Sequence, residues 1–395
     1  MGGTNIMGYK KNEKINEVLA KIDLTKTQRE RAKELYTNIC KSIIRTSGLD
    51  INFYSQGSFA TKTAVRPFKD GKDRSYDVDV ICEVQNLDKS ITPSKLMDIF
   101  EEAIDSAGYH DYTRWEKCFT VEYAKIDDIE FTIDIIPSVA ESFETLEKIR
   151  QETERIELVE TSIAIPDVAP SYNKWISNNP LGYKAWFENQ TQAYEKKYEE
   201  FRKGIFDSTI EELPEDAATN LMRNVIKILK RLRDVYFSRT KTQSKPSSIV
   251  ITTIVAKLAN KLSYAQDEFT LLNLVVSELQ QLESFSRGKS IQKSLNEGFM
   301  ISEIIALDND QWILKNPANG LDNILSSWNE ETQVAKDFFN WVSDLRSLVE
   351  SQTSSNIEDI QKSEMLYDSL HLDFSSIKEA DFEVNSAKAS PWRVK

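Results

Sequence analysis

The run Ser75-Tyr76-Asp77-Val78-Asp79-Val80-Ile81-Cys82-Glu83-Val84 sets Tyr76, Val78, Val80 and Cys82 against Asp77, Asp79, Ile81 and Glu83. That alternation is the period of a β-strand. Side chains two residues apart share a face, so Asp77 and Asp79 point the same way, about 7 Å apart along the strand. Two carboxylates so placed on a mostly apolar strand repel each other, and both are costly to desolvate unless a cation sits between them. A hard divalent ion, Mg2+ or Mn2+ in its place, removes the conflict and takes oxygen ligands together with triphosphate oxygens.

Downstream, Phe131-Thr132-Ile133-Asp134-Ile135-Ile136-Pro137 places another aspartate in an even more apolar run. Such a carboxylate is expected to be partnered. If its strand neighbours that of Asp77 and Asp79, the three can hold two metal ions and stabilise both the attacking and the leaving oxygen of an in-line displacement. Upstream, Gln56-Gly57-Ser58 reads as a turn leading into a short helix over 59–65, capped by Ser58. A glycine there lets backbone approach a phosphate, amides at a helix start favour an anion, and the Ser58 hydroxyl can donate to outer phosphates.

Strands are predicted at 51–55, 119–124 and 129–136, the last two joined as a hairpin through Asp127-Asp128. A polar loop is predicted at 66–74 and a helix at 93–107. Residues 9–47 read as a long helical element interrupted after Asp23, with Gly48 as its stop, and 1–8 read as disordered. Residues 141–189 are less regular and aromatic-rich, turning helical over 181–202. From Leu213 onward the pattern is almost entirely helical (215–238, 246–262, 268–281, 331–352), followed by a polar, acidic tail. The organisation expected is thus a core over 9–205 that includes the N-terminal helix, a helical lobe over 206–352 and a tail over 353–395.

At 395 residues, 40% hydrophobic and 29% charged, the chain has the balance of a soluble globular protein with room for a sizeable core. It shows no spanning apolar run and no signal peptide, so a cytoplasmic location is expected. Cys40, Cys82 and Cys118 lack CxxC spacing, and the two histidines, His110 and His371, lie far apart, which argues against a zinc site or a Ser-His-Asp triad. The net charge of −13 disfavours an extended nucleic-acid surface but leaves room for a local basic pocket for a small anion.

The order Gln56-Gly57-Ser58, Tyr76-Asp77-Val78-Asp79-Val80, Asp134-Ile135-Ile136-Pro137 resembles the polymerase-β-like nucleotidyltransferases, specifically their cGAS/DncV-like (CD-NTase) branch. The likeness extends to Lys227–Asp234, Lys245–Val250 and Asn316–Trp328, about residues 9–345 in all. It implies an α+β fold: a mixed sheet flanked by helices, a C-terminal helical lobe and a long N-terminal spine helix packing across both. It also implies that Asp77, Asp79 and Asp134 are the catalytic metal ligands, and that Gln56, Gly57, Ser58, Lys230 and Ser248, with Ser247 competing, bind the nucleotide. A plainer reading stands beside this one: on 221–236 the basic residues fall largely outside an apolar stripe, as on any amphipathic surface helix. The family often stacks a base on an aromatic beside that serine; here Ile249 stands there, leaving Tyr172, Trp175, Tyr183, Trp186, Phe187 and Tyr236 as candidate platforms.

By this resemblance ATP and other ribonucleoside triphosphates are the substrates, a cyclic di- or oligonucleotide messenger of bacterial anti-phage signalling (CBASS) is the product, pyrophosphate is released, and regulatory proteins are candidate partners. The alternatives are an RNA-tailing polymerase, which the acidic charge disfavours, and an inert binding module, which the intact acidic triad disfavours.

Overall fold

The computed structural model describes residues 15–87, 90–126, 129–205, 220–242, 244–262, 265, 267–286, 300–354 and 356–373. The segment expected to be disordered, 1–8, lies outside them. The N-terminal element is two helices: α1, residues 15–22, and α2, Lys26–Ser47. Thr25 divides them because its hydroxyl caps the amide of Gln28 while the Gln28 side chain accepts from the Thr25 amide, a reciprocal cap that starts a new helix. Gly48 ends α2 in the left-handed region. The break serves packing: Ile15, Val18, Leu19 and Ile22 join the helical core, whereas Leu35, Ile39 and Ile43 join the core of the sheet.

The sheet has seven strands. Strand β1 (Ile51–Ser55) lies antiparallel to β4 (Tyr76–Val84), and β4 runs parallel to β7 (Ile129–Ala140). Strand β7 pairs antiparallel with β6 (Phe119–Ile126), and β6 with β5 (Tyr112–Arg114). The β6–β7 hairpin forms as expected, although Asp127-Asp128 lie outside the described residues. The parallel pair needs a crossover, supplied by α4 (Pro93–Ser106), which Thr92 caps and Pro93 opens, together with β5 and β6. One face of β4 and β7 carries Val78, Val80, Cys82, Ile133 and Ile135, buried under α2 and α4. On the other face Ile81 and Ile136 are covered by Ile163 and Ile165, while the acidic half of that face is left uncovered.

Several expectations are corrected. The helix after β1, α3, is Gly57–Ala60, with Gln56 rather than Ser58 at its cap. The polar loop 66–74 folds into a small hairpin of β2 (Phe68–Lys69) and β3 (Lys72–Asp73). The irregular stretch 141–189 holds α5 (Phe143–Glu152) and a hairpin of β8 (Ile163–Ala169) and β9 (Tyr172–Asn178). Pro166 inside β8 hid that strand, since proline cannot donate to a ladder. Helix α6 spans Pro180–Ile205.

The helical lobe contains α7 (Leu221–Thr240), α8 (Ser248–Lys261), α9 (Glu268–Ser286), α10 (Ser326–Glu330) and α11 (Thr332–Thr353). It is not wholly helical: β10 (Ala306–Asp308) pairs β11 (Gln311–Ile313), and β12 (Lys315–Asn316) pairs β13 (Asn319–Asn323). Nor is the stretch from 353 only a polar tail, because α12 (Asp359–Ser369) buries Leu366 and Tyr367, and Leu370 just after it, against the helical core. Helix α7 is the largest departure. It is no surface helix, since Lys230, Arg231 and Arg233 are all buried. Each basic residue has a partner: Lys227 reaches Asp23 at 2.7 Å, Arg231 reaches Asp73 at 2.6 Å and the Leu370 carbonyl at 2.9 Å, and Arg233 reaches Asp234 at 2.7 Å. Burying a charge demands such partners, and the Lys227–Asp23 and Arg231–Asp73 pairs tie α7 to the α1–α2 junction and to the β2–β3 hairpin. Among the described residues no helix is long and apolar enough to cross a membrane.

Candidate active site

The β4–β7 register sets Asp79 directly opposite Asp134 and Asp77 opposite Thr132. Facing residues of paired strands project to the same side, and neighbouring strands lie about 4.8 Å apart. Asp77, Asp79 and Asp134 therefore share one patch. Two threonines steady it. The Thr120 hydroxyl on β6 donates to Asp134 Oδ1 at 2.6 Å, and the Thr132 hydroxyl donates to Asp77 Oδ1.

The electrostatics record the crowding. Asp79 is pushed up to about 7, first by desolvation and then by the charges of Asp134 and Asp77, with a bond from Gln56 opposing. Asp134 is raised by desolvation and by Asp77, against the lowering hydrogen bond from Thr120. Even the Cys118 thiol is pushed up, to about 12, by burial and then by Asp134 and Asp79. Near neutral pH a proton on Asp79 can thus relieve the clash that a cation would otherwise relieve.

Gly57 is fixed by the same carboxylate. Its φ is +63°, and a Cβ there would sit 2.6 Å from Asp79 Oδ2. Only glycine combines that backbone with that approach. The Gln56 amide donates to the Asp79 carbonyl at 3.1 Å, so α3 leaves the sheet beside the acids.

Facing them is a cleft of about 320 Å³. One wall is Gln56, Gly57, Ser58 and Asp79. The end wall is Asn178, Pro180 and Tyr183, and the helical wall is Lys230, Ser248, Ile249 and Thr252. Lys230 donates to the Thr63 hydroxyl at 2.7 Å and to its carbonyl at 3.3 Å. Thr63 in turn shares a 2.9 Å bond with Thr61, whose hydroxyl donates to the Gly57 carbonyl at 3.0 Å. Burial, then repulsion from Arg233, lowers Lys230 to about 7, against the pull of Asp234. Ser248 accepts from Arg233 at 3.0 Å, which leaves its own proton free to donate.

Of the residues singled out from the sequence, Gln56, Gly57, Ser58, Asp79, Lys230 and Ser248 line this cleft, and Asp77 and Asp134 share the patch of Asp79. Ser247 does not line it: it is the exposed cap residue of α8 and makes no side-chain capping bond. Among the candidate base platforms only Tyr183 lines the cleft, its hydroxyl 2.8 Å from that of Thr253. Trp186 and Phe187 are core residues. Sequence reasoning missed Thr63, Thr120, Thr132, Asn178 and Arg233. The two strand threonines had one usable signal, a hydroxyl on the acid-bearing face, but pairing them with Asp134 and Asp77 required the register.

The donor set is carboxylate oxygen throughout, which suits a hard divalent cation. Among the described residues no three acidic, cysteine or histidine side chains are already gathered around one point. Two of the three aspartates are held by threonines instead, while the backbone already sets the three side by side. An acidic patch facing a buried lysine and a glycine turn defines the class: a nucleotidyltransferase.

Comparison with known proteins narrows this. Residues 9–190 match the Second Messenger Oligonucleotide or Dinucleotide Synthetase domain. The chain is 21% identical over 348 residues to a c-di-GMP synthase of Roseivirga ehrenbergii, covering 84% of this chain and 78% of that protein. Its fold is similar to that of the Bradyrhizobium diazoefficiens CD-NTase CdnG solved with GTP, with a TM-score of 0.61, 17% identity and coverage of 93% and 98%. It is likewise similar to the Vibrio cholerae cyclic AMP-GMP synthase DncV solved with nonhydrolyzable GTP, with a TM-score of 0.58, 14% identity and coverage of 89% and 92%. Residues 9–190 thus carry that synthetase domain, and the fold of the chain is similar to that of the cGAS/DncV-like nucleotidyltransferases.

Proposed function

We propose that this enzyme joins two ribonucleoside triphosphates into a cyclic dinucleotide with release of pyrophosphate, as part of bacterial anti-phage signalling. The observation that carries the chemistry is the Asp79–Asp134 pairing across β4 and β7, with Asp77 on the same face. In this reading Asp77, Asp79 and Asp134 hold Mg2+ or Mn2+. A divalent cation there supplies neutralisation of triphosphate charge and acidifies the attacking hydroxyl.

The rest is done by the chain. The Gly57 turn and Ser58 receive the outer phosphates. Lys230 and Ser248 reach them from the opposite wall, and Lys230 gains a proton as the anion arrives. Ser247 contributes only as the start of α8. Asp134, on the β6 side, faces the hydroxyl that attacks the α-phosphorus. Asp134 takes the proton of that hydroxyl, the new P–O bond forms as the bond to the bridging oxygen breaks, and pyrophosphate leaves. Acceleration comes from positioning and charge neutralisation. A second transfer of the same kind closes the ring, a step that rests on kinship with cyclic-dinucleotide synthases.

The test is mass spectrometry of products from the four ribonucleoside triphosphates with Mg2+ and no primer. A cyclic dinucleotide and pyrophosphate are expected from the unsubstituted protein. Neither should come from the Asp77→Ala/Asp79→Ala double variant, which should keep its circular dichroism spectrum. Wild-type turnover in that variant, or extension only of an added RNA, would overturn the proposal.

A further inference from the structure

We infer that Trp115 is the platform on which the base of the acceptor nucleotide stacks; the inference rests on the function proposed above. The observation is a chain of two hydrogen bonds. The Trp115 indole N–H donates to Thr120 Oγ1 at 3.0 Å, and that hydroxyl donates to Asp134 Oδ1 at 2.6 Å. Because the indole is donor only, it occupies the acceptor side of the Thr120 hydroxyl and directs its proton at the carboxylate.

Trp115 is nonetheless 53% exposed. It is not loosely held. Its backbone amide donates to the Cys118 carbonyl at 2.9 Å, closing the β5–β6 turn, and the Val168 amide donates to the neighbouring Glu116 carbonyl, also at 2.9 Å. A hydrogen bond through the edge of the ring leaves its face free, so a rigid aromatic surface is presented beside the acidic patch.

Strand order gives that surface its role. Across the sheet the sequence is β1, β4, β7, β6, β5. The Gly57 turn follows β1 and touches Asp79, so the donor triphosphate lies toward the β1–β4 side. The attacking hydroxyl then approaches Asp134 from the β6 side. Its nucleoside extends from there toward the β5–β6 turn, and Trp115 lies two hydrogen bonds beyond Asp134, about the span from a ribose hydroxyl to its own base. Stacking on an aromatic face favours every base, purines most, so this platform confers affinity for the acceptor without choosing its identity.

The test uses adenosine and guanosine 5′-monophosphate, which can accept but cannot donate, with an α-labelled triphosphate as donor. Trp115→Ala should raise the acceptor KM about 5- to 150-fold while the donor KM stays within about twofold. Trp115→Phe keeps the ring and should hold the acceptor KM within about threefold. Thr120→Val should lower kcat with little change in the acceptor KM. Equilibrium binding of the same monophosphates, with nonhydrolyzable triphosphate present, should weaken in Trp115→Ala by the same factor as the KM. The inference is overturned if Trp115→Ala leaves acceptor binding within twofold of wild type, or weakens donor and acceptor equally. An unsubstituted protein inert toward all triphosphates would fail the proposed function, and the binding comparison would still decide for or against Trp115.

Discussion

Replacing Asp79 by Asn should stabilise the metal-free protein at alkaline pH while abolishing turnover. An isolated aspartate titrates near 3.9, whereas Asp79 is pushed up to about 7 by desolvation and then by Asp134 and Asp77. Between about pH 4 and 7 the folded protein keeps a proton that the unfolded chain has released. Stability therefore falls as pH rises through that window and levels off above it. The accumulated penalty is about 4 kcal/mol at pH 8, from about 1.4 kcal/mol per tenfold of protonation preference. Part of the carboxyl faces the cleft, so screening reduces the realised effect to about 2–4 kcal/mol. Asparagine is nearly isosteric and carries no charge to desolvate. In chelator, chemical unfolding at pH 8 should show Asp79→Asn more stable than wild type by that amount, with the gap closing near pH 4. Adding Mg2+ should stabilise wild type and leave the variant unmoved. A variant that is equally or less stable at pH 8 in chelator would refute the claim that the three carboxylates strain one another.

Gly57→Ala should reduce turnover at least about 100-fold, because its Cβ would press on Asp79 Oδ2 at a positive φ; the strain is of order 1–3 kcal/mol, visible as a lower unfolding midpoint, and near-normal kinetics would contradict the geometry. Lys230→Met should leave the fold intact and raise the triphosphate KM by about tenfold or more, the worth of a charge-assisted hydrogen bond, as steady-state kinetics will show. At pH 8 Lys230, lowered to about 7, is mostly neutral and an anion favours its charged form. Metal-free triphosphate binding should therefore take up a proton, measured by calorimetry in two buffers of different ionisation enthalpy, and zero uptake would count against Lys230 as a phosphate ligand.

What the sequence determined by itself is local in origin. Alternation over 75–84 marked β4 and put Asp77 and Asp79 on one face, because strand period two needs no tertiary knowledge. An aspartate among isoleucines marked Asp134 as a residue in need of a partner, and Gln56-Gly57-Ser58 announced a turn. Those patterns, with the resemblance they carry, sufficed for the fold class and singled out three aspartates as candidates.

What only the tertiary structure decided is pairing across distance. The parallel register opposes Asp79 to Asp134, and no property of either strand alone dictates which residues face each other. The hydroxyls of Thr120 and Thr132 gain meaning only through that register. The basic residues of α7 look solvated on a helical wheel, yet the fold buries Lys230, Arg231 and Arg233: Thr63, Asp73 and the Leu370 carbonyl reach Lys230 and Arg231 from far along the chain, and Arg233 is held by its neighbour Asp234, the Pro246 carbonyl and Ser248. The β8–β9 hairpin was hidden by Pro166, and the break between α1 and α2 follows from two separate cores drawing its halves apart. Periodicity reports which side of an element is apolar; what lies against that side is decided when the whole chain packs.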